Sequence, residues 1–287
     1  ISGNMTAADL VKFLTKTIRA DRLTSLLAQS REIEGQTHPT FRLVGPLDKP
    51  EGITFAGGEV LAEQVSLVNP SLPQRLTAMH GRILFSQTGG AQFDQVTANV
   101  GETQLQFNGM ISGGTPSVFQ DFVIRAKGSA AQLRQMVSAG TFPDDLLYGM
   151  VNAKVQLSGA SGAPHLRGEI GLNDAKLVLP MVGEKPLGSP ASLELDADVT
   201  RGVGLVISRM ELVVPPLRLP LKGHITLGDQ FSIDASLASG TVSLSSLPEW
   251  IYRSGFEAGN LEISMDVKGT DAEWRNWRTG GWLALTN

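Results

Sequence analysis

The chain of 287 residues contains no cysteine. Disulfides, thiolate metal sites and cysteine nucleophiles are therefore excluded together, and redox arguments leave the compartment open. Aromatic residues make up only 6%, so the large rings that anchor most closed β cores are scarce. Charged residues reach 18%, below the usual share. With a net charge of −4 and scattered basic residues, the chain offers no electrostatic footprint for phosphates, and nucleic acid is set aside as a partner. No run approaches the ~18 continuous apolar residues of a membrane span, and no charged, apolar, then small-residue leader opens the N-terminus. The chain begins at Ile1 without Met and stops at Asn287 in what reads as mid-strand, so we expect a fragment of a longer polypeptide.

What is present is glycine and alternation. The 32 glycines and short apolar segments describe many strands and turns rather than disorder. In VNAKVQLS, Val151, Ala153, Val155 and Leu157 fall on one side of an extended chain and Asn152, Lys154, Gln156 and Ser158 on the other. LEISMDVKG repeats the pattern with Leu261, Ile263, Met265 and Val267. QLQFNG (104–109), DFVIRAKG (121–128), SLELDADV (192–199), LRLPLKG (217–223) and FSIDASL (231–237) alternate likewise between turn residues. About 14 to 18 strands with short connections imply an antiparallel meander.

The chain also resembles itself. FRLVG (41–45), QLSG (156–159) and VKG (267–269) precede GGEV (57–60), RGEI (167–170) and GGWL (280–283). The offset is roughly 110 residues. We expect the end of one repeat, helix plus strands, at 1–56, complete repeats at 57–166 and 167–279, and the start of another at 280–287. Helical starts recur: TAADLVKFL (6–14) and SAAQLRQMV (129–137) carry capping-box spacing. TFPDDLLY (141–148) and SLPEWIY (246–252) each place a proline in a first turn.

So many twisted strands must curl, split or fold over. One solution is a closed β-sandwich array, and the other a long curled antiparallel sheet whose apolar face lines a trough. The smooth aliphatic lining favours the trough, at ~4.8 Å per strand roughly 65 to 85 Å long. The candidate lining starts with Leu105, Phe107, Phe122 and Ile124, then Ala153, Val155 and Leu157. It continues with Leu193, Leu195, Ala197, Leu217, Leu219 and Leu221, and ends with Phe231, Ile233, Leu261, Ile263, Met265 and Val267.

A GE-initiated strand, a proline-containing loop, a Gly-terminated alternating strand and a short amphipathic helix occur as GEIGLNDAKLVLP, LRLPLKGHITL and KGSAAQLRQMV. This order resembles the AsmA-like superfamily of repeating β-groove proteins, the AsmA, TamB and YhdP type, across the whole chain. The resemblance implies a periplasmic protein, tethered to the inner membrane by a segment absent here. It also implies a β-groove that carries phospholipid between inner and outer membranes, with outer-membrane or periplasmic proteins as candidate partners.

Catalytic patterns are missing. His38, His80, His165 and His224 sit beside Pro or Gly without metal-ligand spacing and read as turn residues at strand edges. Glu194, Asp196 and Asp198 share one face of a strand; they could hold a hard cation but fit a solvated face. Asp144 and Asp145 suit a helix N-terminus. SGASGA (158–163) and ISGGT (111–115) lack nucleotide-loop spacing and read as turns. In EWRNWRTGGW, Trp274, Trp277 and Trp282 interleave with Arg275 and Arg278, either a lipid or partner contact or a loop packed on its own strand. No cofactor or metal site is expected. The first function reading is a non-enzymatic lipid conduit, the second a β-rich structural scaffold or adhesin-like module of the cell envelope. An enzyme acting on envelope lipid or glycan comes third, with only the carboxylate clusters in its favour.

Overall fold

The computed structural model describes residues 2–17, 29–46, 48, 52, 54–70, 72–137, 147–179, 183–200, 204–227, 231–251, 258–271, 273 and 276–286. It is mainly β: 18 strands form one antiparallel sheet that does not close into a barrel, with few short helices. The chain divides into two compact units, residues 1–126 with 156–162, and 127–155 with 163–287.

In the first unit, Met5–Thr6 (β1) pairs with Arg31–Val44 (β2). Thr54–Val68 (β3), Leu76–Ser86 (β4), Ala91–Val100 (β5) and Thr103–Ile111 (β6) then follow, each antiparallel to the strand before it. Val118–Ser129 (β7) lies against β6. The connections are tight: Gly101, at φ +58°, and Glu102 alone join β5 to β6.

Ala7–Thr17 (α1) closes one end of this meander. Thr6 supplies its cap, accepting the Asp9 N–H at 3.2 Å and donating to the Asp9 carboxylate at 2.8 Å. That hydroxyl, and then the Lys12 ammonium, hold the Asp9 carboxyl below its ordinary value. Leu10 and Leu14, one turn apart, pack with Phe41, Val60 and Phe85, while Phe13 stacks on Phe41 with centroids 4.8 Å apart.

The second unit holds the start of Leu147–Ala160 (β8), then His165–Gly171 (β9), Ala175–Leu179 (β10) and Gly183–Lys185 (β11). Ser192–Thr200 (β12), Gly204–Val214 (β13), Leu217–Leu227 (β14) and Ser232–Ala238 (β15) come next, followed by Val242–Ser243 (β16), Asn260–Gly269 (β17) and Arg278–Thr286 (β18). Pairing runs β9, β12, β13, β14, β15, β17, β18, with β16 beside β17, and β10 between β8 and β11. Ala130–Val137 (α2) leaves β7 directly, and Ser129 caps it by accepting the Gln132 N–H at 3.3 Å.

One expected helix does not form. The proline spacing predicts a helix over 246–252, but Leu244–Ser246 is a single 3-10 turn and Pro248–Ile251 one turn closed by Ile251 N–H to Pro248 O at 3.1 Å. Leu244, Leu247 and Ile251 lie in an irregular strap and bury against Leu217, Leu219 and Leu261. Burial on a neighbouring sheet overrides the local signal. Of the other proline start, 141–146, with Asp144 and Asp145, lies outside the described residues, while Leu147 and Tyr148 open β8.

Glu32, Gln64, Ala78, Gln95 and Asp121 take left-handed backbone at φ between 47° and 51°. Most sit at or beside the register shifts of β2 to β5, and Asp121 faces Gly109, at φ +125°, across β6 and β7. An extra residue at such a place bends the strand and strengthens its twist. The strain is of the order of 1 kcal/mol or more per residue, tolerated only because neighbouring strands fix the geometry.

Candidate functional site

Residues paired across an antiparallel ladder share a face, so the register alone tests whether the alternating apolar sets meet. In the second unit they do. One row runs Leu166, Ala197, Ile207, Ile225, Ile233 over β9, β12, β13, β14 and β15. The next runs Leu195, Met210, Leu221, Leu237, Met265. A third joins Ile170, Leu193, Leu212 and Leu219. Ile263 pairs with Leu283, and Leu261 with Val242 and Leu285. Ala153 and Val155 follow Val151 in alternation on β8, and Val151 packs with Leu172 and Val214.

The first unit has its own apolar face. Leu105 lies opposite Ala98 and Phe107 opposite Val96. Phe122 meets Phe93 edge-on at 5.4 Å, and Ile124 follows it on the same side of β7. Phe93 in turn packs against the cluster that α1 covers.

Depth varies along the lining. Phe122, Ala197, Leu217, Leu219, Ile233, Leu261 and Val267 are buried. Leu105, Phe107, Ile124, Ala153, Val155, Leu157, Leu193, Leu195, Leu221, Phe231, Ile263 and Met265 are half-buried. On β18 the face opens: Leu283 is 60% and Leu285 36% exposed. The cluster of Ala197, Ile207, Ile225, Ile233, Ala235 and Val267 involves no helix; strand side chains and the Phe231–Trp277 stack, 5.5 Å between centroids, enclose it among the described residues.

The opposite face is polar. Arg167, Asp196, Arg209 and Lys222 form one crosswise row, and Glu169, Glu194 and Glu211 the next. Arg209 and Arg218 donate to the two Glu211 oxygens at 3.3 and 3.1 Å, which offsets the like charge beside it. His165 bridges Asp196 at 3.3 Å and Asp198 at 3.0 Å, and Arg167 reaches Asp196 at 3.4 Å. Asp196 thus lies beside Arg167 and His165 and Asp198 beside His165, and no group of metal-ligating side chains forms among the described residues. Lys185 is fully buried, its ammonium donating to the carbonyls of Ala175 at 2.7 Å, Pro186 at 3.0 Å and Asn173 at 3.4 Å. Burial pulls this lysine below its ordinary value, opposed by Asp174.

The histidines are not turn residues: His38, His80, His165 and His224 belong to β2, β4, β9 and β14. Gly81 and Gly223 beside two of them, at φ +134° and +135°, bulge within their strands, and Pro39 lies inside β2. His38 contacts Asn4 at 2.8 Å and Glu63 at 3.2 Å. Of the tryptophan cluster, Trp277 stacks on Phe231 and donates to Asp271 O at 2.9 Å. Trp282 is 55% exposed on β18, while Trp274 and Arg275 lie outside the described residues.

Ile207, Met210 and Leu212 escape a period-two reading. Ser208 is an extra residue between Ile207, opposite Ala197, and Arg209, opposite Asp196, so apolar parity on β13 switches from 205 and 207 to 210, 212 and 214. The phase jump in GLVISRMELVV was the available signal. Comparison with protein-family models, curated proteins and solved structures finds no match.

Proposed function

We propose that this chain is a non-enzymatic, periplasmic lipid-binding conduit of the AsmA-like type, sheltering phospholipid acyl chains on its apolar sheet face while headgroups remain in water. The observation that carries the reading is the register: apolar rows cross β9, β12, β13, β14, β15 and β17 on one side, with charge on the other. Such a lining gains about 0.8 kcal/mol per buried CH₂ and is indifferent to headgroup.

A scaffold or adhesin-like module is the second reading, favoured by the burial of Ala197, Ile207 and Ile225 among the chain's own side chains. The discriminating experiment purifies the chain from cells without detergent and extracts it for mass spectrometry. Co-purifying diacyl phospholipid, exchangeable with labelled lipid from vesicles, is the expected result. A folded chain that carries no lipid and takes none from vesicles rejects the conduit and leaves the scaffold.

A further inference from the structure

The indole Nε1 of Trp250 is the one buried side-chain nitrogen or oxygen without a hydrogen-bond partner among the described residues. Such a group is costly, and tryptophan in apolar surroundings ordinarily finds an acceptor. The ring is in an informative place. It packs with Ala130, Leu172 and Val214 in one cluster and with Leu217, Leu244 and Leu261 in another, and Leu212 of β13 is the other side chain common to both. Trp250 therefore lies over the apolar rows of the second unit, in the strap between β16 and β17.

Backbone contacts tie the described part of that strap to its neighbours. Leu244 N–H donates to Gly259 O at 2.9 Å, and an isolated bridge joins Ile251 to Gly183. Its side chains Leu244, Leu247 and Ile251 make the contacts on Leu217, Leu219 and Leu261 that acyl chains would make.

We infer that Trp250 is a ligand-binding residue whose indole N–H donates to the ester carbonyl of a bound diacyl lipid, where acyl chains meet the glycerol. This rests on the lipid-binding reading above. The chemistry selects the ester. A phosphate or carboxylate brought there loses its hydration without a counter-charge, because the side chains clustered with Trp250 are apolar. Lys185, on the strand that Ile251 bridges, has its ammonium protons directed at three carbonyls. A neutral acceptor needing one donor fits; an ether oxygen is a far weaker one.

The test compares the intact chain with Trp250→Phe, which keeps an aromatic ring and removes the N–H. Both are titrated with vesicles of dioleoyl phosphatidylcholine or of its dialkyl-ether analogue, and lipid retained on the re-isolated protein is quantified. The wild type should retain the ester lipid with about fivefold to tenfold higher affinity. Trp250→Phe should hold both lipids at the wild type's ether level. Equal ester and ether binding by the wild type overturns the inference while leaving the conduit standing, as does an ester preference that survives in Trp250→Phe. Binding of neither lipid removes both readings. If Trp250→Phe does not fold, the ¹⁵N-indole spectrum of the wild type decides. One buried N–H resonance should move downfield with ester lipid and stay with ether lipid, and no ester-dependent shift refutes the role.

Discussion

Replacing Gly109 by alanine isolates the strain in the bulged strands of the first unit. A Cβ at this position would collide with the Asp121 carbonyl oxygen and come within 2.5 Å of Phe122 Cα and 2.8 Å of Asp121 C. The obstruction is backbone, and Asp121 is itself left-handed at φ 47°, so neither side yields cheaply. The φ of +125° adds a strain of about 1–3 kcal/mol for a residue with a side chain. Overpacking adds about 1–3 kcal/mol, and the lower entropy of the unfolded chain returns about 0.4–1 kcal/mol. The net loss is about 2–5 kcal/mol. Two controls separate the contributions: Gly114 shares a positive φ, +110°, but a Cβ there meets nothing within 4 Å, and Gly3 has neither strain nor neighbour. Urea unfolding followed by Phe and backbone signals should rank the midpoints Gly3→Ala near wild type, Gly114→Ala slightly lower, and Gly109→Ala lower by about 1–2.5 M for a slope near 2 kcal/mol/M. A Gly109→Ala midpoint equal to that of Gly3→Ala would refute the close approach of β6 and β7.

Ile263→Asp and Val155→Asp each place an unpaired carboxylate on the half-buried apolar lining, at a cost of several kcal/mol for any acyl chain beside it. Lipid retention should fall more than ~10-fold with the far-UV circular dichroism unchanged, while Asp266→Ser and Gln156→Ser stay silent; undiminished retention by both Asp variants would count against the conduit. Asp9 gives a pH signature. Its folded-state pKa lies below the ordinary 3.8, so its contribution to α1 is present above that value and is lost as pH falls through the depressed one. Protection of the first α1 amides against hydrogen exchange, relative to the intrinsic rate, should fall as pH drops below the ordinary carboxylate value, and Thr6→Ala should blunt the dependence.

The strands were legible because side chains alternate with period two whatever the tertiary context, so Leu193 with Leu195 and Leu261 with Ile263 announced their faces. The capped helix at Thr6 was legible for a similar local reason. The bulges were not. Glu32, Gln64 and Gln95 carry no residue-type signal for left-handed backbone, and the shift at Ser208 hid half of β13. Glycine next to His80 and His224 suggested turns, where it instead relieves crowding inside strands. Pro248 with Leu244, Leu247 and Ile251 mimicked a helix because apolar spacing over two turns cannot tell a helical stripe from a strap lying on a sheet. Trp250 was passed over within that misread helix. Its significance lies in an unsatisfied hydrogen bond, which no sequence pattern expresses.

The order of pairing has a consequence for how the chain reaches its folded state. From β2 to β6 every strand's partner is the one just made. Such local topology belongs to the faster part of the β range, since no long loop must close before the first contact is rewarded. A chain emerging residue by residue can add each strand as it appears, exposing one growing edge at a time. Three strands among the described residues interrupt the sequence: β10, which pairs with β8 past β9, β12, which must wait past the β10–β11 hairpin to find β9, and β17, which pairs with β15 past β16. Each pause leaves an unpaired edge open, and these edges are where aggregation during synthesis should begin.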